Sequence, residues 1–229
     1  MPESKEREKG PAPARGAVAR AVEDPVSRRK FMALTGGSAA AAAFLAACGS
    51  DGDTTTMTSA KPAGGSETAQ FGKGDVGILN YALTLEYLET AFYADVVKSG
   101  LFKGADLETI RKFGAEEAEH VDALTAAVEQ LGGTPAPEPK TEFPLKSAKS
   151  VLELAGTVEN LGAAAYLGQA ANIKSPEVLA SALAIHSVEG RHAAALNTLL
   201  GRPIAPDGAF AKPADAKTVL KSVEPFIVS

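Results

Sequence analysis

The feature that most constrains this chain is Glu117-Ala118-Glu119-His120, inside a long stretch of helical periodicity, and its recurrence as Glu189-Gly190-Arg191-His192. A Glu and a His three residues apart lie about 60° apart around a helix, so both side chains can reach one ion. Upstream of each copy, a second helical stretch carries a Glu followed seven residues later by a Tyr: Glu86 and Tyr93, then Glu159 and Tyr166. Glu86 precedes Glu117 by 31 residues, and Glu159 precedes Glu189 by 30. Helix-forming preference alone does not produce such a repeat. Four Glu and two His on four helices predict a dinuclear metal site in the core of an all-α four-helix bundle.

Periodicity and end signals place the helices. The first runs from an N-cap at Asp75 to about Lys98, with Leu79, Ala82, Leu83, Glu86, Tyr93 and Val97 on one face. The second runs from near Asp106 to Gly132-Gly133. Its stripe is Ile110, Phe113, Val121, Leu124, Val128 and Leu131, with Glu117 and His120 inside it. Glu116, Glu119 and Asp122 fall off that stripe and read as solvated charges. A proline-rich stretch follows, without helical or strand pattern and long enough to run back along the bundle as one long crossover between helices two and three. Ser150-Val151-Leu152-Glu153 reads as the capping box of helix three, whose inner face holds Leu152, Ala155, Glu159, Ala163, Tyr166 and Ala170. Ser175-Pro176 opens helix four and Gly201 ends it, with Val178, Ile185, Glu189, His192, Leu196 and Leu199 as its stripe. Residues 202–229 form a tail with a short C-terminal helix, in which Val219, Leu220, Val223, Phe226 and Ile227 cover one end of the bundle.

Four carboxylates inside apolar stripes need compensation, because a lone buried ion costs several kcal/mol even after relaxation. Either their pKa values rise or cations join them. Two divalent ions carry the matching charge while the imidazoles bind neutral, and a Glu/His donor set suits Fe, with Mn as the alternative and Zn less specific. Tyr93 and Tyr166 read either as core packing or as hydroxyls bonded to a ligand Glu. His186, one turn before Glu189, reads as a packed or half-exposed imidazole, with a role beside the ligands as the sharper alternative.

The amino-terminal quarter reads as an address. Residues 1–26 carry no sign of a fold; then Ser27-Arg28-Arg29-Lys30-Phe31-Met32 resembles the twin-arginine export signal. An Ala-rich apolar run over 32–47 is shorter than the roughly 20 residues a membrane span needs. It ends in Leu45-Ala46-Ala47-Cys48-Gly49, which resembles a bacterial lipobox, and Cys48 is the only cysteine of the chain. Residues 1–47 thus read as a signal peptide, Cys48 as a lipidation site, and 48–74, poor in large apolar residues, as a flexible tether. The expected location is the cell envelope, lipid-anchored to the outer face of a membrane. The export resemblance implies transport of an already folded protein, so the metal would be enclosed before export. Without residues 1–47 the chain has 15 basic and 23 acidic residues, which argues against nucleic acid as a partner.

At LNYALTLEYLETAFY, EEAEHV, VENLGAAAYLG and SVEGRHAA, residues 75–201 resemble the ferritin-like superfamily, and more closely its bacterial group with exported and desiccation-related members. The resemblance implies that Glu117 and Glu189 bridge two metals, that Glu86 with His120 binds one and Glu159 with His192 the other, and that Tyr93 and Tyr166 bond the terminal Glu of the opposite half. It also implies iron oxidation or peroxide handling, with O2 or peroxide as partner. Manganese-dependent peroxide dismutation and a non-catalytic, stress-protective role are its rivals. It names no catalytic residue and leaves oligomerisation open.

Overall fold

The computed structural model describes residues 67–228. The signal segment with Arg28 and Arg29, the lipidation site Cys48 and most of the tether lie outside the described residues. The chain forms α1 (Gly74–Ser99), α2 (Gly104–Gln130), α3 (Ala148–Ala170), α4 (Pro176–Leu199) and a short α5 (Ala216–Val223). Two two-residue strands, β1 (Lys140–Thr141) and β2 (Ile227–Val228), pair antiparallel. Helix α1 packs along α2, and α3 along α4. The short 100–103 and 171–175 connections make each pair an antiparallel hairpin, while 131–147 is the long crossover between them.

Helix ends follow local chemistry, with some departures from the sequence reading. Helix α3 begins one turn earlier than expected: Ser147 is the N-cap, and Ser147 and Ser150 cap each other reciprocally. Ser175 caps α4 as expected, accepting from the Val178 N–H with Pro176 at the first helical position. Asp75 lies inside α1 instead of capping it. Its carboxylate accepts from the backbone N–H groups of Lys174 and Ser175, tying the start of α1 to the α3–α4 turn. Gly132 adopts φ 74°, so the Gly132 and Gly133 N–H groups can turn back onto the carbonyls of Glu129 and Val128 and close α2.

Residues Gly77–Glu86 of α1 are buried without a break. A helix covered all round needs neighbours on every side. One cluster joins Leu79, Ala82 and Leu83 to Leu124, Val128, Tyr166, Val178 and Ile185. A second joins Tyr81, Leu85 and Leu88 of α1 to Ala165 of α3 and to Ala216, Val219 and Val223 of α5. The tail helix therefore covers the flank of α1 and α3 at mid-height, not an end of the bundle. The proline-rich crossover, expected to hold no strand, contributes β1 to pair with the chain terminus. Leu131 and Leu199 sit at the ends of their helices and are exposed, outside the stripes the sequence suggested.

Candidate metal centre

Each inner helix delivers its acidic residue to one level of the bundle. Glu86 comes from α1, Glu117 and His120 from α2, Glu159 from α3, and Glu189 and His192 from α4. All four Glu are 0% exposed and His192 3% exposed; the His120 side chain is 11% exposed. Their ligand atoms converge in two groups, each within 4.8 Å: Glu86, Glu117, His120 and Glu189; and Glu117, Glu159, Glu189 and His192. Glu117 and Glu189 belong to both.

The distances show how the groups share Glu117. His120 Nδ1 lies 2.8 Å from Glu117 Oε2, 3.2 Å from Glu86 Oε2 and 3.3 Å from Glu189 Oε1. His192 Nδ1 lies 2.8 Å from Glu117 Oε1 and 3.3 Å from Glu159 Oε2. The two oxygens of Glu117 thus face opposite imidazoles. The tyrosines cross between halves: the Tyr93 hydroxyl donates to Glu159 Oε1, and the Tyr166 hydroxyl donates to Glu86 Oε1 at 2.5 Å. Each bond occupies one carboxylate oxygen and leaves Oε2 turned toward the centre.

Several inward atoms are buried without a hydrogen-bond partner: Glu117 Oε1, Glu159 Oε2, both oxygens of Glu189, and His192 Nδ1. Although His192 Nδ1 and Glu117 Oε1 are 2.8 Å apart, they are not aligned as a hydrogen bond. Buried acceptors left without donors are costly. Their convergence suits cations, and the oxygen and nitrogen donors fit iron or manganese.

The metal-free electrostatics carry the same strain. Burial pushes Glu89 and Glu189 well above the usual carboxylate range, Glu159 upward, and Glu86 to about 7 despite its bond from His120. Burial opposes ionisation of Glu117 too, but the hydrogen bond from His120 and the positive charge of both imidazoles beside it outweigh burial and take its pKa down to about 2. Burial disfavours charge on both imidazoles, yet the surrounding carboxylates overcome it. They raise His120 to about 12 and His192 to about 11. Without metal, the imidazolium groups stand where cations would balance the carboxylates.

Two residues join the site that the sequence reading did not place there. Glu116, read as a solvated charge, lies 2.7 Å by Oε2 from His192 Nε2, and its Oε1 is 3.7 Å from Lys112 Nζ. Glu89, one turn beyond Glu86, is 3% exposed. Its carboxylate fills space beside Gly162: a Cβ on that glycine would come within 3.0 Å of both Glu89 Oε1 and Glu189 Oε2. The spacing that flags Glu117 and His120 also relates Glu86 to Glu89 and is the signal that could have found it. His186 donates from Nδ1 to the Ala163 carbonyl at 2.9 Å, half-buried, and belongs to neither convergent group.

Four helices enclosing a twofold-repeated cluster of buried carboxylates and imidazoles define a class of bundle proteins compatible with a dinuclear metal site. The family model for a ferritin-like domain matches residues 74–202, more than half of the chain. This chain belongs to that ferritin-like family. Among curated proteins, no match was found.

Proposed function

We propose that this chain is an exported, lipid-anchored dinuclear metal protein that handles iron oxidation or peroxide outside the cytoplasm. The observation carrying this reading is the pair of overlapping ligand groups that share Glu117 and Glu189, with buried inward atoms lacking donors. In this reading Glu117 and Glu189, common to both groups, would help hold both ions, with Glu86 and His120 completing one position and Glu159 and His192 the other. Iron is the preferred metal and manganese the alternative. The metal pair, when bound, supplies two-electron redox chemistry toward O2 or peroxide.

The residues of the chain prepare that chemistry. Tyr93 and Tyr166 hold one oxygen of each terminal carboxylate, so the other stays aimed inward. Burial excludes water from the carboxylates and strengthens their attraction for cations. His120 and His192 would have to give up their protons to hold ions, so binding would release protons and strengthen as pH rises.

The twin-arginine and lipobox resemblances at Arg28, Arg29 and Cys48 support export through the twin-arginine machinery and attachment to the outer face of a membrane. Elemental analysis of the full chain from native membranes, beside Glu117→Ala, tests the reading. About two Fe or Mn per chain in the wild type, lost in the variant, together with rapid O2-dependent oxidation of bound Fe(II), is the expected result. A well-folded wild type without metal would overturn it in favour of a structural, stress-protective lipoprotein. Oxygen release from peroxide by a manganese-loaded protein would select the dismutase instead.

A further inference from the structure

The two halves of the centre repeat their ligands but not the residues behind them. In the α1–α3 register Glu86 corresponds to Glu159, and in the α2–α4 register Glu117 and His120 correspond to Glu189 and His192. Behind His192 stand three residues of α2. Glu116 Oε2 is 2.7 Å from Nε2, Phe113 stacks on the imidazole with ring centroids 4.1 Å apart, and Lys112 pairs with Glu116. In the second half the same register puts Val188, Ile185 and Ala184 at these positions. None of the three side chains can accept a hydrogen bond or stack as an aromatic ring. Among the described residues, His120 Nε2 has no hydrogen-bonded protein partner, and His120 is the more exposed of the two imidazoles.

A carboxylate accepting from the far N–H of an imidazole fixes its tautomer, orients the ring and makes the near nitrogen a stronger donor. Glu116 is placed to do this for His192, so that Nδ1 would be the atom offered inward to an ion, while Phe113 holds the ring plane. We infer that Glu116 is a positioning residue that makes the two metal positions unequal: the Glu159–His192 position fills first and holds its ion, and the Glu86–His120 position exchanges. This rests on the dinuclear reading above. An unequal pair gives one resident ion and one that enters and leaves, a division that suits turnover of a metal or access of a small oxidant at the His120 side.

The test is anaerobic titration of the full chain with Co(II), followed by calorimetry and by the visible absorption of the bound ion, with release measured against excess EDTA. The wild type is expected to bind two ions in steps at least about tenfold apart. Glu116→Ala weakens the tighter step about 10- to 100-fold and spares the weaker; Glu116→Gln, which keeps an acceptor oxygen, retains most of the affinity. In a His192→Ala background Glu116→Ala has no further effect, whereas in His120→Ala it keeps its full effect. Equal steps in the wild type, equal weakening of both steps by Glu116→Ala, or loss of the tighter step in His120→Ala would each overturn the inference. The last outcome would mean that the Glu89 carboxylate, on the Glu86 side, sets the order. A wild type that binds no Co(II) would remove the dinuclear reading itself, whereas two equal steps would leave that reading standing.

Discussion

Replacing Glu86 by Gln separates the cost of burying charge from the benefit of binding metal. Glu86 is fully buried, and burial raises its pKa from 4.5 to about 7. Because the folded value lies above the unfolded one, the associated stability is complete below pH 4.5 and is lost as pH rises through 7. At about 1.4 kcal/mol per pKa unit, ionising Glu86 costs the metal-free fold about 3 kcal/mol by pH 8. Gln has nearly the same shape and remains neutral, and its carbonyl can still accept from Tyr166. His120 keeps Glu117 and Glu189 as partners.

The metal-free Glu86→Gln variant should therefore gain about 3 kcal/mol on wild type between pH 4.5 and pH 8, or roughly 6–12 °C in melting temperature for a domain of this size. Urea unfolding of chelator-treated full chains at the two pH values measures the difference directly. Adding Fe(II) or Mn(II) without oxygen should reverse the order, because wild type offers an anionic ligand where the variant offers an amide. A metal-free variant that loses ground to wild type between pH 4.5 and 8 would refute the assignment of a costly, uncompensated carboxylate at this position.

Three further perturbations probe separate parts of the structure. Glu189→Ala removes a residue common to both ligand groups and should abolish binding of both ions; elemental analysis that still finds two per chain would exclude a bridging role. Tyr166→Phe takes the donor from Glu86 Oε1, should cost the metal-free fold about 1–3 kcal/mol at pH 8, and is checked by urea unfolding beside wild type. Gly168→Ala would place a Cβ 1.9 Å from the Ala214 carbonyl oxygen, forcing 213–216 off α3 and straining the Ala214-to-Ala164 hydrogen bond. It should lower stability by about 1–3 kcal/mol, read as a fall in melting temperature, without changing metal stoichiometry.

The convergence of Glu86, Glu117, Glu159 and Glu189 was legible because a polar residue inside an apolar stripe must face the core, and helical spacing fixes that stripe from sequence alone. The same method fails at a stripe's edge. Glu116 is about 100° around α2 from Glu117, and nothing within α2 tells whether that direction meets water or α4. It meets His192, a fact that belongs to helix packing. The β1–β2 pairing has no mark in the sequence for a related reason: two-residue strands have no period, and β2 follows β1 only after α3, α4 and α5.

Glu89 marks where a different reading of the same letters succeeds. Helix α1 is buried without a break up to Glu86, one turn before it, so burial there extends beyond the stripe of Leu79, Ala82, Leu83, Glu86, Tyr93 and Val97. Comparing the two halves supplies what periodicity lacks. At the position equivalent to Glu89 the second half has Gly162, and the structure shows the Glu89 carboxylate occupying the space beside that glycine. A large side chain in one repeat matched by a glycine in the other is thus a statement about volume between α1 and α3. Glu116 and Val188 form a second mismatched pair, and that difference is one of charge. The repeated ligands mark where the carboxylates and imidazoles gather. The unrepeated neighbours make the two sides of the centre chemically distinct, because Glu89 adds a buried carboxyl beside Gly162 while Glu116 orients His192 from behind.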